Sequence, residues 1–208
     1  MLKRLDHILN TPTKVAVLRL LCESRGWFTG RDIARRVKKG VANVHRALDE
    51  LGAAGVVNVE PRPPVKLFRI AEAVPMVEQG LIPLFRAEAD LEEALWAKLA
   101  EAAGPDLVSM ILFGSRARGE SKPGSDVDVL FILRNASAQA RILDAAFDLG
   151  HEHGVGIQPL FVQLEEVPSW ARDSRPFWRR LEADGRVIRG LPLREVEHDV
   201  SASVAVVG

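Results

Sequence analysis

The chain has 208 residues, 47% of them apolar and 27% charged, with 28 basic and 28 acidic side chains. That length fits one large domain or two small ones, and that composition fits a globular fold. Cys22 is the only cysteine, which excludes an intramolecular disulfide and a thiolate metal cage. No apolar run is long enough to span a bilayer. The opening MLKRLDHILN has no long apolar core of the signal-peptide kind, so a cytoplasmic setting and no membrane partner are expected. The zero net charge hides a step. Residues 1–75 carry 14 basic and 7 acidic side chains, and the remainder carries 14 and 21. Such a step suggests two domains with different partners, the basic one a candidate for nucleic acid.

Thr11-Pro12 reads as a helix start, with Val15, Val17, Leu18, Leu20 and Leu21 supplying an apolar face. Cys22 falls in that run and reads as core. Trp27-Phe28-Thr29-Gly30 breaks the pattern, and Thr29 is placed to cap a second helix reaching Val37. Lys38-Lys39-Gly40 forms a turn. A third helix over 41–54 has Val44, Leu48 and Leu51 at core spacing, and Gly55 is its stop. Two β-like runs follow, 56–59 and Val65–Ile70, around a stiff loop Glu60-Pro61-Arg62-Pro63-Pro64.

Three helices and a hairpin over residues 10–72 resemble the small bacterial and archaeal winged-helix regulators. In such a domain the third helix enters a major groove, while surrounding cations neutralise phosphates. Asn43 and Arg46 lie off the apolar stripe of that helix, with Ala42, His45 and Asp49. They are residue types suited to adenine and guanine edges. Lys38 and Lys39, with Arg35 and Arg36, suit phosphates, and Arg62 and Lys66 offer cations from the wing. Double-stranded DNA is the expected partner. A solvated cationic surface or a protein-docking module is the alternative.

Residues 71–104 are rich in Ala, Glu and Leu. A connecting helix over 84–102 is expected, started or bent by Pro83. Leu84, Leu91, Leu95 and Leu99 lie on one face beside Trp96, which fits packing or a homodimer contact.

The most legible stretch is ILFGSRARGESKPGSDVDVLFI, from Ile111 to Ile132. Leu107–Phe113 and Val127–Leu133 read as short buried strands. Residues two apart on a strand share a face, so Asp126 and Asp128 project together, about 7 Å apart along the backbone. Paired carboxylates repel each other and are costly to desolvate, and a divalent cation relieves both problems. Mg²⁺ favours one or two carboxylates plus substrate phosphates. Gly114 allows a close backbone approach, Ser115 offers a hydroxyl, and Arg116 and Arg118 add positive charge for phosphate oxygens.

The run GSRARGESKPGSDVDVLFI resembles the Gly-Ser, gap, Asp-x-Asp signature of the polymerase β-type nucleotidyltransferase superfamily. The chain as a whole resembles a winged helix joined to a minimal member of it, down to the closing PFWRRLEADGRVIRG, where a helix and short strand are expected. The fold implied is α+β: a winged helix-turn-helix domain at 1–75, a connecting helix at 76–104, a nucleotidyltransferase-like domain with a small mixed sheet at 105–190, and a tail at 191–208. The resemblance implies transfer of a nucleoside monophosphate from an NTP to an acceptor hydroxyl with Mg²⁺ or Mn²⁺. Gly114 and Ser115 would hold the triphosphate, Asp126 and Asp128 the metal, and Arg116 and Arg118 are weaker candidates for the nucleotide.

The pattern is broken at one place. Active members present a third carboxylate on a later strand, which here reads VGIQPLFV over 155–162 and contains no acid. Gln158 stands near the expected position, and Glu165 and Glu166 just beyond are possible substitutes. The alternative function is therefore a DNA-binding regulator whose degenerate nucleotidyltransferase domain senses nucleotide or dimerises without catalysis. A toxin or other protein partner is left open.

Among the smaller signals, residues 135–149 read as an amphipathic crossover helix, and His151 and His153 as a solvated helix end rather than a metal pair. Trp170, Phe177 and Trp178 read as a packed cap over the sheet, with base stacking as the alternative. SASVAVVG at the end reads as an edge strand, a docking segment or a loose end.

Overall fold

The computed structural model describes residues 5–120, 122 and 124–196, which excludes SASVAVVG. The chain divides into two compact units, Met1–Glu92 and Glu93–Gly208.

In the first unit, α1 (Leu5–Ile8) and α2 (Pro12–Ser24) are followed by β1 (Phe28–Thr29), α3 (Gly30–Arg36), α4 (Val41–Ala53), β2 (Val57–Arg62) and β3 (Val65–Ile70). The caps are those the sequence favours: Thr11 Oγ1 accepts the Lys14 N–H and Thr29 Oγ1 the Asp32 N–H, each at 3.2 Å. Gly55, with φ of +74°, takes the left-handed turn after α4. Val17, Leu18, Leu21, Ile33, Val44, Leu48 and Leu51 are fully buried with Phe68 and Ile70 of the sheet. Burying each such side chain contributes roughly 1.5–3 kcal/mol. Cys22 is part of this core, and burial pushes its thiol up to about 11.

Two features of this unit differ from the expectation. Phe28–Thr29 pairs with β3 as a third strand, giving the order β1-β3-β2. The Glu60-Pro61-Arg62 segment belongs to β2 and only Pro63-Pro64 connects the hairpin, because Arg62 pairs directly with Val65. Pro61 is tolerated there because β2 is an edge strand. Helices α2–α4 and the three-stranded sheet make a winged helix-turn-helix.

Lys14 is a further departure from the pattern. Its side chain is 5% exposed. Nζ donates to the His7 carbonyl at 2.6 Å and Asn10 Oδ1 at 3.0 Å, and pairs with Glu50 at 2.5 Å. The buried cation thereby ties α2 to α4 and to the turn before it, with its donors satisfied.

After a π-helical turn (Val77–Leu81) comes α5, Ile82–Ala103, with Pro83 in its first turn. The leucine stripe does not form one buried face. Leu95, Trp96 and Leu99 are buried against the second unit's sheet, whereas Leu84 and Leu91 are 53% and 59% exposed. Helical spacing puts the four on one side, but apolar neighbours cover only the later turns.

The second unit contains β4 (Leu107–Phe113), α6 (Gly114–Arg118), β5 (Val127–Leu133), α7 (Ala138–His153), β6 (Ile157–Gln163), α8 (Val167–Asp173), α9 (Arg175–Asp184) and β7 (Arg186–Gly190). The sheet is mixed, in the order β6-β5-β4-β7. β5 and β6 run parallel and the other pairs antiparallel. β5 is central, so both its faces are covered. Val127, Val129, Phe131 and Leu133 meet α5 and α7, while Leu130 and Ile132 meet Trp178 and Leu181. The closing helix and strand occur as the resemblance implied. Trp178 is buried, and the Phe177 ring stands edge-on to Phe113 and Trp170 at 5.5 and 6.3 Å, so the aromatics do cap the sheet. Among the described residues no helix is long and apolar enough to cross a membrane.

Candidate metal–nucleotide site and nucleic-acid face

β5 is the axis of the site. Its odd residues fill the α7 side, so Asp126 and Asp128 project toward the side occupied by α9. β4 runs antiparallel and sets Phe113 opposite Asp128, which brings Gly114 to the carboxylate. Gly114 has φ of +72°, and a Cβ there would run into Asp128 Oδ2. Any other residue would be strained by its backbone and would displace the acid. β6 runs parallel and sets Gln158 opposite Asp128 on the other flank. The position where the pattern asks for a third acid is therefore occupied, in register, by a neutral amide.

Glu165 and Glu166 do not replace it. They follow the far end of β6, about 17 Å of strand beyond Gln158. Glu166 already accepts the Gln163 N–H at 2.9 Å as a cap. Among the described residues no group of three His, Cys, Asp or Glu side chains is gathered to hold a metal. His151 and His153 end α7, where Glu152 between them pairs with Lys98 at 3.1 Å.

The Asp128 carboxyl sits above the usual carboxylate range. Burial is the main cause, the Asp126 charge adds to it, and Arg118 opposes both. Asp126 is exposed, and its Oδ1 lies where a Cβ at Gly156 would sit. Composition and spacing had not singled out Gly156, because its role depends on the approach of a separate strand.

The two arginines part company. Arg118 is exposed, pairs with Glu120 at 2.7 Å, and feels both Asp128 and Asp184. Arg116 is half-buried and donates through Nη2 to the Ser125 carbonyl at 3.0 Å; its buried Nε has no partner among the described residues. Ser115 is half-buried in the first turn of α6, and its carbonyl accepts the Glu120 N–H at 2.9 Å.

The donor chemistry fits a hard divalent cation. Two carboxylates share one face, and the residue in register beside them, Gln158, is a neutral amide. Such a set leaves coordination positions for water and phosphate, as Mg²⁺ or Mn²⁺ with an NTP requires.

In the first unit, Asn43 and Arg46 stand exposed on α4, opposite the buried Val44, Leu48 and Leu51. His45 is turned inward: its ring is edge-on to Phe68 at 6.4 Å and fills the space above Gly30. Lys38, at a φ of +51°, is exposed and Lys39 half-buried in the turn before α4. Arg35 pairs with Asp32 at 2.7 Å, and Arg36 lies over the Phe28 ring at 4.8 Å. Arg62 pairs with Glu60 at 2.7 Å and Lys66 with Asp49 at 3.8 Å. Exposed pairs of this kind are worth about 0–1 kcal/mol, so exchange for a phosphate costs little.

Gly-Ser after one strand, Asp-x-Asp on its antiparallel neighbour and a small mixed sheet make a nucleotidyltransferase-like fold, here accompanied by a winged helix-turn-helix. Residues 93–176 match the family model of the nucleotidyltransferase domain. A curated relative from Methanocaldococcus jannaschii, provisionally named a protein adenylyltransferase, is 37% identical over 75 residues, 34% of this chain and 51% of that protein. A bifunctional uridylyltransferase/uridylyl-removing enzyme of Burkholderia mallei is 34% identical over 90 residues, 40% of this chain and 10% of that enzyme. The chain thus spans about half the length of the first relative and a tenth of the second. A solved toxin–antitoxin with AMP-PNP aligns at a TM-score of 0.38 and 19% identity, over 55% of this chain and 85% of that one.

Proposed function

We propose that the second unit binds a nucleoside triphosphate with Mg²⁺ or Mn²⁺ and transfers its nucleoside monophosphate to an acceptor hydroxyl, while the winged helix binds double-stranded DNA. The observation that carries the reading is the placement of Gly114 against Asp128, with Asp126 alongside. Asp126 and Asp128 hold the cation, and Gly114 and Ser115 face the triphosphate. Arg118 supplies positive charge from an exposed position. When bound, the cation neutralises phosphate charge and makes the acceptor oxygen easier to deprotonate.

In the transfer, the acceptor oxygen forms a bond to the α-phosphorus. The bond to the α,β-bridging oxygen breaks, and pyrophosphate leaves with that electron pair. The acceptor proton passes to solvent, because Gln158 cannot accept it. The name of the archaeal relative supports ATP as donor and a protein as acceptor.

Gln158 favours a second reading: nucleotide binding without transfer, with the domain serving as a sensor for the DNA-binding unit. One experiment separates the two. The protein is incubated with labelled NTPs, Mn²⁺ and cell extract, beside an Asp126→Ala/Asp128→Ala variant. Label transfer lost in the variant is the expected result. NTP binding that needs both acids, without any transfer, establishes the sensor instead.

A further inference from the structure

Asp126 precedes the first residue of β5, so the strand ladder alone does not hold it. Yet the chain is pinned on both sides of it. Upstream, the Ser125 carbonyl accepts Arg116 Nη2 at 3.0 Å. Ser125 also donates its N–H to the Lys122 carbonyl, and its Oγ accepts the Lys122 N–H, both at 2.9 Å. Downstream, the Val127 N–H donates to the Gly156 carbonyl at 2.7 Å, and the Asp126 carboxylate rests against the Gly156 Cα. With Nη2 on the Ser125 carbonyl and Nε buried without a partner among the described residues, the guanidinium is committed on one side to the backbone before Asp126.

We infer that Arg116 and Gly156 are positioning residues that fix Asp126 for the cation, and that Arg116 does not bind the triphosphate. The inference rests on Asp126 and Asp128 being the metal ligands. Of the two, Arg118, exposed and paired with the exposed Glu120, is then the better placed for phosphate. Arg116 and Gly156 lie on different elements and act from opposite sides, so the same acid is reached by two independent substitutions.

The test titrates Mn²⁺ into the full chain and follows the free-ion EPR signal, with and without ATP. Arg116→Ala and Gly156→Ala should each lower affinity for Mn²⁺ alone by about tenfold, the low end of the usual effect of residues that orient metal ligands. Asp126→Asn should match them, and Arg116→Ala/Asp126→Asn should lose no more than Asp126→Asn. Arg118→Ala should spare Mn²⁺ binding and weaken ATP. The inference is overturned if Arg116→Ala leaves Mn²⁺ binding intact but weakens ATP more than AMP, since that is the behaviour of a phosphate ligand. It is equally overturned if Gly156→Ala binds Mn²⁺ as wild type does. Wild-type Mn²⁺ affinity in Asp126→Asn would instead bring down the metal reading itself, and this inference with it.

Discussion

The winged helix and the head of β5 treat charge in opposite ways. In the winged helix even the buried Lys14 is matched, by Glu50, Asn10 and the His7 carbonyl, and the wing cations Arg62 and Lys66 each have a carboxylate. On β5 two carboxylates share a face, and the charge of one helps to push the other above its usual range. Matched charges hold a fold together. Unmatched like charges are a cost to the apoprotein that a ligand can remove. The contrast separates charges that serve structure from those that serve chemistry.

The largest effect expected is at Gly114. Gly114→Ala forces a Cβ into the Asp128 carboxylate at a left-handed φ, and Mn²⁺-dependent ATP binding should fall by at least about tenfold, as misplacing a metal ligand does. Isothermal titration calorimetry with Mn²⁺–ATP reads it. Unchanged binding would show that the carboxylate tolerates displacement.

The contrast then predicts substitutions of opposite sign. Lys14→Met strands the His7 carbonyl and Asn10 side chain and should destabilise the winged helix by about 1–3 kcal/mol, read as reduced hydrogen-exchange protection of α2 and α4. Asp128→Asn removes a carboxylate that burial and Asp126 disfavour, so the metal-free second unit should gain stability. The gain has a pH window. A carboxyl whose folded pKa is raised penalises the folded state above that pKa, and the penalty fades as pH falls toward the unfolded value. Asp128→Asn should therefore exceed wild type at neutral pH and converge with it in acid, as read from thermal midpoints in EDTA.

A smaller effect distinguishes cations on the face proposed to bind DNA. Arg46→Ala should cost about 1–3 kcal/mol and relax specificity, whereas Lys66→Ala should weaken all sequences alike and reduce the salt slope by about one. Fluorescence anisotropy with specific and random duplexes at several salt concentrations measures both. Equal losses for Arg46→Ala on every duplex would reduce that arginine to a phosphate contact.

Much of this protein was legible because its signals are local. The caps at Thr11 and Thr29, the core spacing of Val44, Leu48 and Leu51, and both strands of the Gly-Ser/Asp-x-Asp hairpin depend on neighbours a few residues apart. Strand alternation alone put Asp126 and Asp128 on the face opposite Val127 and Val129. What was missed is long-range. Phe28–Thr29 is a strand only because β3 lies beside it, and the leucine stripe of α5 is buried only where the second unit's sheet covers it.

The sequence by itself determined the two-part architecture and the pairing of acids with a glycine–serine turn, since helix period, strand period and turn chemistry act within short windows. Tertiary structure alone decided that Gln158 stands in register with Asp128, that Gly156 cradles Asp126, that Arg116 holds a backbone carbonyl and that Lys14 is buried. Each of those depends on which distant segment arrives at a given side chain, and the close packing that settles it has no counterpart in local periodicity.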